Sequence, residues 1–199
     1  MNPPVAQPLL NLLPRDGAVY YCGRALDAEF AVRGFQELQG GDFWRNDEVL
    51  MFGRRLVMSR KMAWFGDVPY KYAGALKAPL PWSRQLLELK TAVEAACGHS
   101  FNSCLLNYYA DGSEGMGWHS DDEKSLVSNA AIASLSLGAQ RNFRFKHRRT
   151  GETVSVLLET GSLLLMEEET QTHWVHCLPK SKRILEPRIN LTFRLMKHA

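Results

Sequence analysis

The apolar residues of the chain recur at two different spacings, and the change falls after Gly98. Before it, two segments show the three-to-four-residue spacing of amphipathic helices. The first covers residues 27–38, with Asp27 placed as an N-cap and glycines following it. The second covers residues 83–97 and ends at Gly98, a residue suited to a helix C-terminus. The pattern therefore predicts two helices in the first half of the chain.

After Gly98 the apolar residues form short runs separated by glycine- and aspartate-containing turn signals. The runs cover residues 103–109, 130–137, 142–147, 153–158, 162–166 and 188–195. Helices followed by six or more short strands indicate an α+β chain whose second half is an antiparallel sandwich or a jelly roll. The turn spacing does not distinguish these two architectures.

Composition narrows the class of protein. A chain of 199 residues with 45% hydrophobic and 23% charged residues is typical of one globular domain, not of a disordered chain. A formal net charge of +3 excludes a histone-like polycation. We expect no membrane span and no signal peptide, because the apolar runs are strand-length and the start of the chain lacks a basic and an apolar region. Four dispersed cysteines without a C-x-x-C pair are expected to be reduced thiols, which indicates a cytosolic protein. The short chain favours a bacterial monomer.

The last predicted strand, residues 188–194, alternates polar and apolar side chains. Arg188, Asn190, Thr192 and Arg194 share one face, because successive side chains of a strand point to opposite sides. Such a polar face is typical of a solvated strand. Two arginines flanking an asparagine and a threonine would also bind a pair of carboxylates, as in a small dianionic ligand. Both interpretations stay open on this segment alone.

Residues 117–121, Gly-Trp-His-Ser-Asp, bring His119 and Asp121 to the same side of an extended chain. An imidazole and a carboxylate are two members of the two-histidine, one-carboxylate set that holds non-haem Fe(II) with open coordination positions. A third ligand must come from elsewhere in the fold, and both His173 and His176 lie on a suitable segment. The remaining histidines are His147, expected to be solvated in a basic hairpin, His99 at a helix end and His198 at the C-terminus.

Residues 102–195 resemble the AlkB family of Fe(II)- and 2-oxoglutarate-dependent dioxygenases, which repair alkylated nucleic-acid bases. The matching stretches are Asn107-Tyr-Tyr109, Trp118-His-Ser-Asp-Asp-Glu123, Ile132-Ala-Ser-Leu-Ser-Leu-Gly138, Gly161-Ser-Leu-Leu-Leu-Met166, and His176 followed by Pro187-Arg-Ile-Asn-Leu-Thr-Phe-Arg194. The resemblance covers about half of the chain. It implies a jelly-roll core over residues 101–199, preceded in residues 1–100 by an extension, the helices and a nucleotide-recognition lid.

The resemblance also implies roles for individual residues. His119, Asp121 and His176 match the iron ligands, with His176 preferred to His173 by its distance from the arginine strand. The residues that match the 2-oxoglutarate-binding positions are Asn107, Tyr109, Arg188, Asn190 and Arg194. The implied cofactors are Fe(II), 2-oxoglutarate as co-substrate, and O₂.

Substrate contacts are predicted at three places. Residues 43–72 hold seven of the 20 aromatics together with six cations and three acids, a composition that suits base stacking and phosphate contact. Trp64, Phe65 and Tyr72 are the candidate stacking residues there, whereas Phe43, Trp44 and Tyr70 are expected to be core. Asp122 and Glu123 follow the metal ligands and could accept a hydrogen bond from an exocyclic amine. The basic run 141–149 is a candidate phosphate-binding hairpin, and residues 167–169 are expected to be an exposed acidic turn.

The predicted function is oxidative dealkylation of N-alkylated bases, of the 1-methyladenine and 3-methylcytosine type, in DNA or also in RNA. Aldehyde, succinate and CO₂ would be the products. One alternative is an oxygenase on the same scaffold that acts on RNA or protein. The other is a non-catalytic nucleic-acid-binding jelly roll, which a buried Arg–His–Asp cluster without a ligand makes costly.

Overall fold

Antiparallel strands dominate the structure, a computed structural model that describes residues 9–51, 54–72 and 75–197. The strands are β1 Ala18–Arg24, β2 Arg45–Met51, β3 Arg54–Gly66, β4 Tyr70–Tyr72, β5 Ala75–Lys77, β6 Ser103–Tyr109, β7 Met116–His119, β8 Ile132–Gly138, β9 Arg141–His147, β10 Thr153–Leu158, β11 Ser162–Glu167, β12 Trp174–Leu178 and β13 Arg188–Arg194. The helices are α1 Ala28–Gln39, α2 Arg84–Cys97 and α3 Thr170–His173. Among the residues described, no helix is long and apolar enough to cross a bilayer.

The two predicted helices are present and begin and end at the expected residues. The Asp27 carboxylate accepts a hydrogen bond from the Phe30 amide at 2.7 Å, which satisfies one of the unpaired donors at the start of α1. Ser83 caps α2 in the same way. Gly98 closes α2 with a φ of 74°, in the left-handed region that glycine adopts without strain.

The strands build two main sheets and a small hairpin. The larger sheet has the order β1-β11-β8-β13-β6-β3-β2, the smaller one has the order β10-β9-β12-β7, and β4 pairs with β5. Side chains of both main sheets, among them Leu164 and Met166 from the larger and Phe145 and Trp174 from the smaller, share one buried cluster. The sheets therefore lie face to face, as in a jelly roll.

The larger sheet also has an outer face, and the two long helices cover it. Leu86 and Leu89 of α2 pack in one core with Leu135 of β8 and Leu191 of β13, all fully buried. The turn after β8 requires Gly138, whose φ is 83° and whose missing Cβ would lie 2.7 Å from the Phe35 ring of α1. The helices thus fix which side of β13 faces the outer core, and its other side faces the smaller sheet.

All six predicted strands are present, but the first half of the chain contributes more to the sheets than predicted. Residues 1–100 were expected to hold an extension, the helices and a lid, yet Ala18 begins β1, which pairs along β11. β3 lies in the predicted lid region and pairs with β6 at the centre of the fold. Strands from the first half of the chain therefore belong to the larger sheet. β7 and β12 were not predicted because each is short and carries polar residues.

Candidate active site

A cavity of about 400 Å³ opens between the two sheets. Of the thirteen predicted site residues, ten line it. They are Asn107, Tyr109, His119, Asp121, Asp122, Glu123, His176, Arg188, Asn190 and Arg194. A cavity of this volume accommodates a small organic acid.

Two histidines and an aspartate converge at one wall of the cavity. His119 ends β7 and His176 lies directly opposite it on the neighbouring strand β12. Potential ligand atoms of His119, Asp121 and His176 all lie within 4.8 Å of one another. The His119 Nδ1 lies 2.8 Å from the Gly117 carbonyl oxygen, so Nδ1–H donates there and Nε2 keeps its lone pair for a metal.

The charges around this cluster keep its members in the forms that bind metals. Burial raises the pKa of Asp121, but the positive charge and hydrogen bond of Arg194 outweigh it, and the net shift is downward. Burial lowers the pKa of His176 to about 4, against a smaller opposing effect of Asp121. A carboxylate and a neutral imidazole therefore face the cavity near neutral pH, as metal ligation requires.

His173, the alternative third ligand, lies away from the cluster. Its Nε2 is 3.2 Å from the Glu169 carboxylate, and its ring stacks on His147 at a centroid distance of 6.3 Å. The three-residue step from His173 to His176 crosses from α3 into β12, which separates the two rings. The geometry favours His176.

The polar face of β13 points into the cavity, not into solvent. Arg188 and Arg194 are only 1% and 3% exposed. Arg188 lies opposite Tyr109, and Asn190 lies opposite Asn107, on the adjacent strand β6. This cross-strand register pairs four of the five residues that the sequence assigned to the co-substrate, and the fifth, Arg194, lines the same cavity.

Some donors in the cavity have no partner within the described part of the chain. The Arg188 Nη2 donates to the Ser136 hydroxyl at 3.0 Å, but its buried Nε has no hydrogen-bond partner there. The buried His176 Nδ1 is likewise without one. Burial lowers the pKa of Arg188 to about 10, which still leaves it charged. The Arg188 Nε donor fits an anionic ligand, and the unpaired His176 ring nitrogen fits a metal ion if it carries the lone pair.

Two of the predicted base-stacking residues lie outside the cavity. Trp64 is 6% exposed and packs with Val68 and Met196, and Phe65 is 4% exposed and contacts Phe43 edge-on. Neither ring lines the cavity, so the stacking role assigned to both is corrected: their positions along β3 bury them. The side chain of Tyr72 lies outside the described residues. Phe43 and Trp44 pack against the core, as expected.

The basic hairpin divides into buried and exposed cations. Arg141 is 1% exposed and donates to the carbonyl oxygens of Glu114 and Pro179, so it is not part of a phosphate-binding surface. His147, expected to be solvated, is 1% exposed and bonds to Asp16, because it lies on the inward side of β9. The exposed cations of the hairpin are Arg144, Lys146, Arg148 and Arg149. Glu167 pairs with His99, whereas Glu168 and Glu169 are exposed as expected.

Three residues near the site were not singled out by the sequence. Arg60 and Met62 of β3 line the cavity because they share its inward face. Gln171 accepts a hydrogen bond from the Asp121 amide at 2.9 Å and so fixes the backbone of the acidic ligand. The two-residue spacing of Arg60 and Met62 indicates that their side chains share one face of a strand. It identifies them as cavity residues only when β3 is known to border the cavity.

Comparison with known proteins gives a consistent picture. The family described as the 2OG-Fe(II) oxygenase superfamily matches residues 18–194. "DNA oxidative demethylase ALKBH2" of Mus musculus is 43% identical over 157 residues, which cover 74% of this chain and 66% of that protein. "Alpha-ketoglutarate-dependent dioxygenase alkB homolog 3" of Bos taurus is 38% identical over 186 residues, which cover 88% and 65%. The chain thus spans about two thirds of the length of these relatives.

A solved structure shares the fold. "The structure of OsALKBH1" superposes with a TM-score of 0.63 at 19% identity, covering 94% of this chain and 100% of that one. At this identity the likeness concerns the fold alone, and it confirms the predicted jelly-roll class.

Proposed function

Because the chain belongs to the 2OG-Fe(II) oxygenase superfamily and its relatives are AlkB-type enzymes, we propose that it oxidatively dealkylates N-alkylated nucleic-acid bases. One observation carries the proposal: a two-histidine, one-carboxylate cluster and two buried arginines face the same cavity. A binding module without catalysis would have no use for a candidate metal cluster beside two buried arginines in one cavity.

His119, Asp121 and His176 would hold Fe(II). When bound, Fe(II) together with 2-oxoglutarate and O₂ supplies the oxidation of the N-alkyl group, which leaves as an aldehyde while the co-substrate becomes succinate and CO₂. The protein residues orient and desolvate the reactants. Gln171 holds the backbone of Asp121, and Arg194 donates to its Oδ1 at 2.7 Å, which leaves Oδ2 for the metal.

The arginine strand would hold the co-substrate at its two ends. Arg188, with Tyr109 and Asn190, is assigned to the distal carboxylate, and Arg194, with Asn107, to the carboxylate nearer the metal. The pairing of Arg188 with Tyr109 across β13 and β6 supports the distal assignment, and Asn190 and Asn107 lie opposite each other between the two arginines. Both donor pairs lie on the central strands of the larger sheet, so the co-substrate would be fixed by the most rigid part of the fold.

The mouth of the cavity suits a positively charged base. Asp122 is exposed there and Glu123 is half-buried, and 1-methyladenine and 3-methylcytosine carry a positive charge that two carboxylates would attract. The names of the mammalian relatives favour DNA as substrate, and RNA is the second substrate class to test. We also propose that the protein is a monomer and that it works in a reducing cytosol; the four free thiols support the reducing compartment.

The decisive experiment incubates the protein with Fe(II), ascorbate, 2-oxoglutarate and an oligonucleotide that contains one 1-methyladenine. We expect equal amounts of succinate and repaired base. Parallel reactions with methylated RNA and with the unmethylated DNA oligonucleotide serve as comparison and control. Succinate formed only with RNA or with a protein substrate would contradict DNA repair, and the absence of succinate with every substrate would contradict the enzyme itself.

A further inference from the structure

Arg194 contacts two carboxylates, one from a candidate metal ligand and one from a candidate base-contacting residue. Its Nη2 donates to Asp121 Oδ1 at 2.7 Å, and its Nη1 donates to Glu123 Oε1 at 3.2 Å. Arg194 is almost completely buried, whereas the Glu123 side chain keeps 27% of its surface exposed. One buried guanidinium thus joins a candidate metal ligand to a carboxylate at the mouth of the cavity.

The same guanidinium is assigned to the metal-side carboxylate of 2-oxoglutarate. Three carboxylates would then surround one positive charge in a site of low dielectric constant. Two of them, Glu123 and the co-substrate, would repel each other. Asp121 would stay in place, because a bound metal would hold its carboxylate and Gln171 fixes its backbone. Glu123 is the carboxylate that can shift, since it lies on an irregular segment after β7, faces the opening and keeps 27% of its side-chain surface exposed.

On the basis of the proposed function, we propose that Glu123 is a shared carboxylate, paired with Arg194 in the empty site and with the alkylated base in the loaded one. The co-substrate weakens the hold of Arg194 on Glu123 and so releases the carboxylate toward the base. Conversely, a base that draws Glu123 away leaves Arg194 more attractive to the co-substrate. Because coupling between two binding sites is reciprocal, each ligand must then tighten the binding of the other.

Asp122 provides a matched control. It lines the same opening and carries the same charge, one residue earlier in the chain. The described contacts of Arg194 include Glu123 and Asp121 but not Asp122. Glu123→Gln keeps the shape of the side chain and removes its charge, and Asp122→Asn does the same at the neighbouring position.

The experiment is calorimetric titration of 2-oxoglutarate into the Fe(II)-loaded protein without O₂, so that no turnover occurs. Each titration is run alone, with an excess of an oligonucleotide containing one 1-methyladenine, and with its unmethylated counterpart. For the unsubstituted protein we expect the methylated oligonucleotide to lower the Kd of 2-oxoglutarate about fivefold, at the low end of typical couplings. Glu123→Gln should bind 2-oxoglutarate about fivefold more tightly without any oligonucleotide, and the methylated oligonucleotide should add nothing.

Asp122→Asn should keep the fivefold coupling, even where it weakens the oligonucleotide itself. The proposal is overturned if the unsubstituted protein shows no coupling, if Glu123→Gln retains it, or if Asp122→Asn loses it equally. The first of these results needs no variant and is independent of how a variant folds. Measurable 2-oxoglutarate binding without coupling defeats this inference alone, whereas no binding of 2-oxoglutarate at all defeats the proposed function as well.

Discussion

The two faces of the larger sheet are both buried, and they are buried for opposite reasons. On the outer face, Leu135, Ile189 and Leu191 pack against the two long helices in an apolar core. On the inner face the same strand β13 presents Arg188 and Arg194, which are nearly as inaccessible but face a cavity. One strand therefore supplies stability with its odd-numbered apolar residues and ligand binding with its even-numbered polar ones.

The difference shows that burial by itself does not identify a stabilising residue. An apolar side chain in a core lowers the free energy of the fold through its transfer from water. The buried guanidinium of Arg188 has no carboxylate partner among the described residues and therefore raises that free energy. We expect it to be retained for the ligand that it binds. Substitutions on the two faces should consequently separate stability from ligand binding.

The largest loss of activity is expected for a substitution of the candidate metal ligand His176. His176→Ala should weaken metal binding by at least about a hundredfold and abolish turnover, because loss of even a supporting group costs about 10–100-fold. His173→Ala, three residues earlier, should leave both nearly unchanged, since His173 bonds to Glu169 instead. Titration with Mn(II) followed by paramagnetic resonance measures the affinity without turnover. If His176→Ala kept its metal affinity and turnover while His173→Ala lost them, the third ligand would be His173.

Substitutions on the outer face of the larger sheet should change the free energy of unfolding but not the binding of 2-oxoglutarate. Leu191→Ala removes a fully buried side chain from the core beneath the helices and should lower the free energy of unfolding by about 3 kcal/mol. The Kd of 2-oxoglutarate for the folded protein should stay the same. Denaturant titration and calorimetry on the same sample check both statements. A large change in Kd would mean that the two faces are not separable.

Substitutions on the inner face should change the binding of 2-oxoglutarate but not lower the stability of the protein. Arg188→Met should raise the Kd of 2-oxoglutarate about thirtyfold, since a hydrogen bond to a charged group contributes about 2 kcal/mol. The midpoint of thermal unfolding of the ligand-free protein should not fall, because the buried charge is repelled by Arg141 and no carboxylate of the described residues neutralises it. Arg188→Lys should also bind weakly, as an ammonium lacks the bidentate geometry. A destabilised Arg188→Met with normal affinity would contradict the assignment.

The smallest effect is expected for a cation that faces solvent. Arg144 is exposed on the smaller sheet, on the opposite side of β9 from the buried Phe143 and Phe145. If it contacts a phosphate, Arg144→Gln should reduce the dependence of oligonucleotide affinity on salt by about one unit of logarithmic slope and leave 2-oxoglutarate binding intact. Arg33→Gln, exposed on α1, is the control of equal charge change. If both variants showed the same salt dependence of oligonucleotide affinity, the hairpin would not be part of the nucleic-acid-binding surface.

The elements were predictable where the local pattern was strong. Both helices and six strands follow from periodicity and capping residues, and the alternation of β13 correctly groups Arg188 with Arg194. The alternation could not say which face lies inside, because a solvated strand has the same pattern. That question is settled by α1 and α2, which cover the apolar face.

The site was predictable in its chemistry and less so in its placement. The pairing of His119 with His176 joins two short strands far apart in sequence, and no local signal encodes it. Composition also misled at Trp64 and Phe65, since a window rich in aromatics does not reveal the position of each ring along β3. His147 shows the same effect, because the basic composition of its hairpin concealed an inward-facing position.

The Tyr109 ring lies between two buried guanidinium groups, 5.6 Å from that of Arg188 and 5.9 Å from that of Arg141. A dicarboxylate bound beside Arg188 would offset this concentration of positive charge, and it can do so only in the folded protein. A ligand present at about a hundred times its Kd stabilises the folded state by about 2.7 kcal/mol. Resistance to proteases, and with it the lifetime of the protein in a cell, should therefore rise and fall with the supply of 2-oxoglutarate.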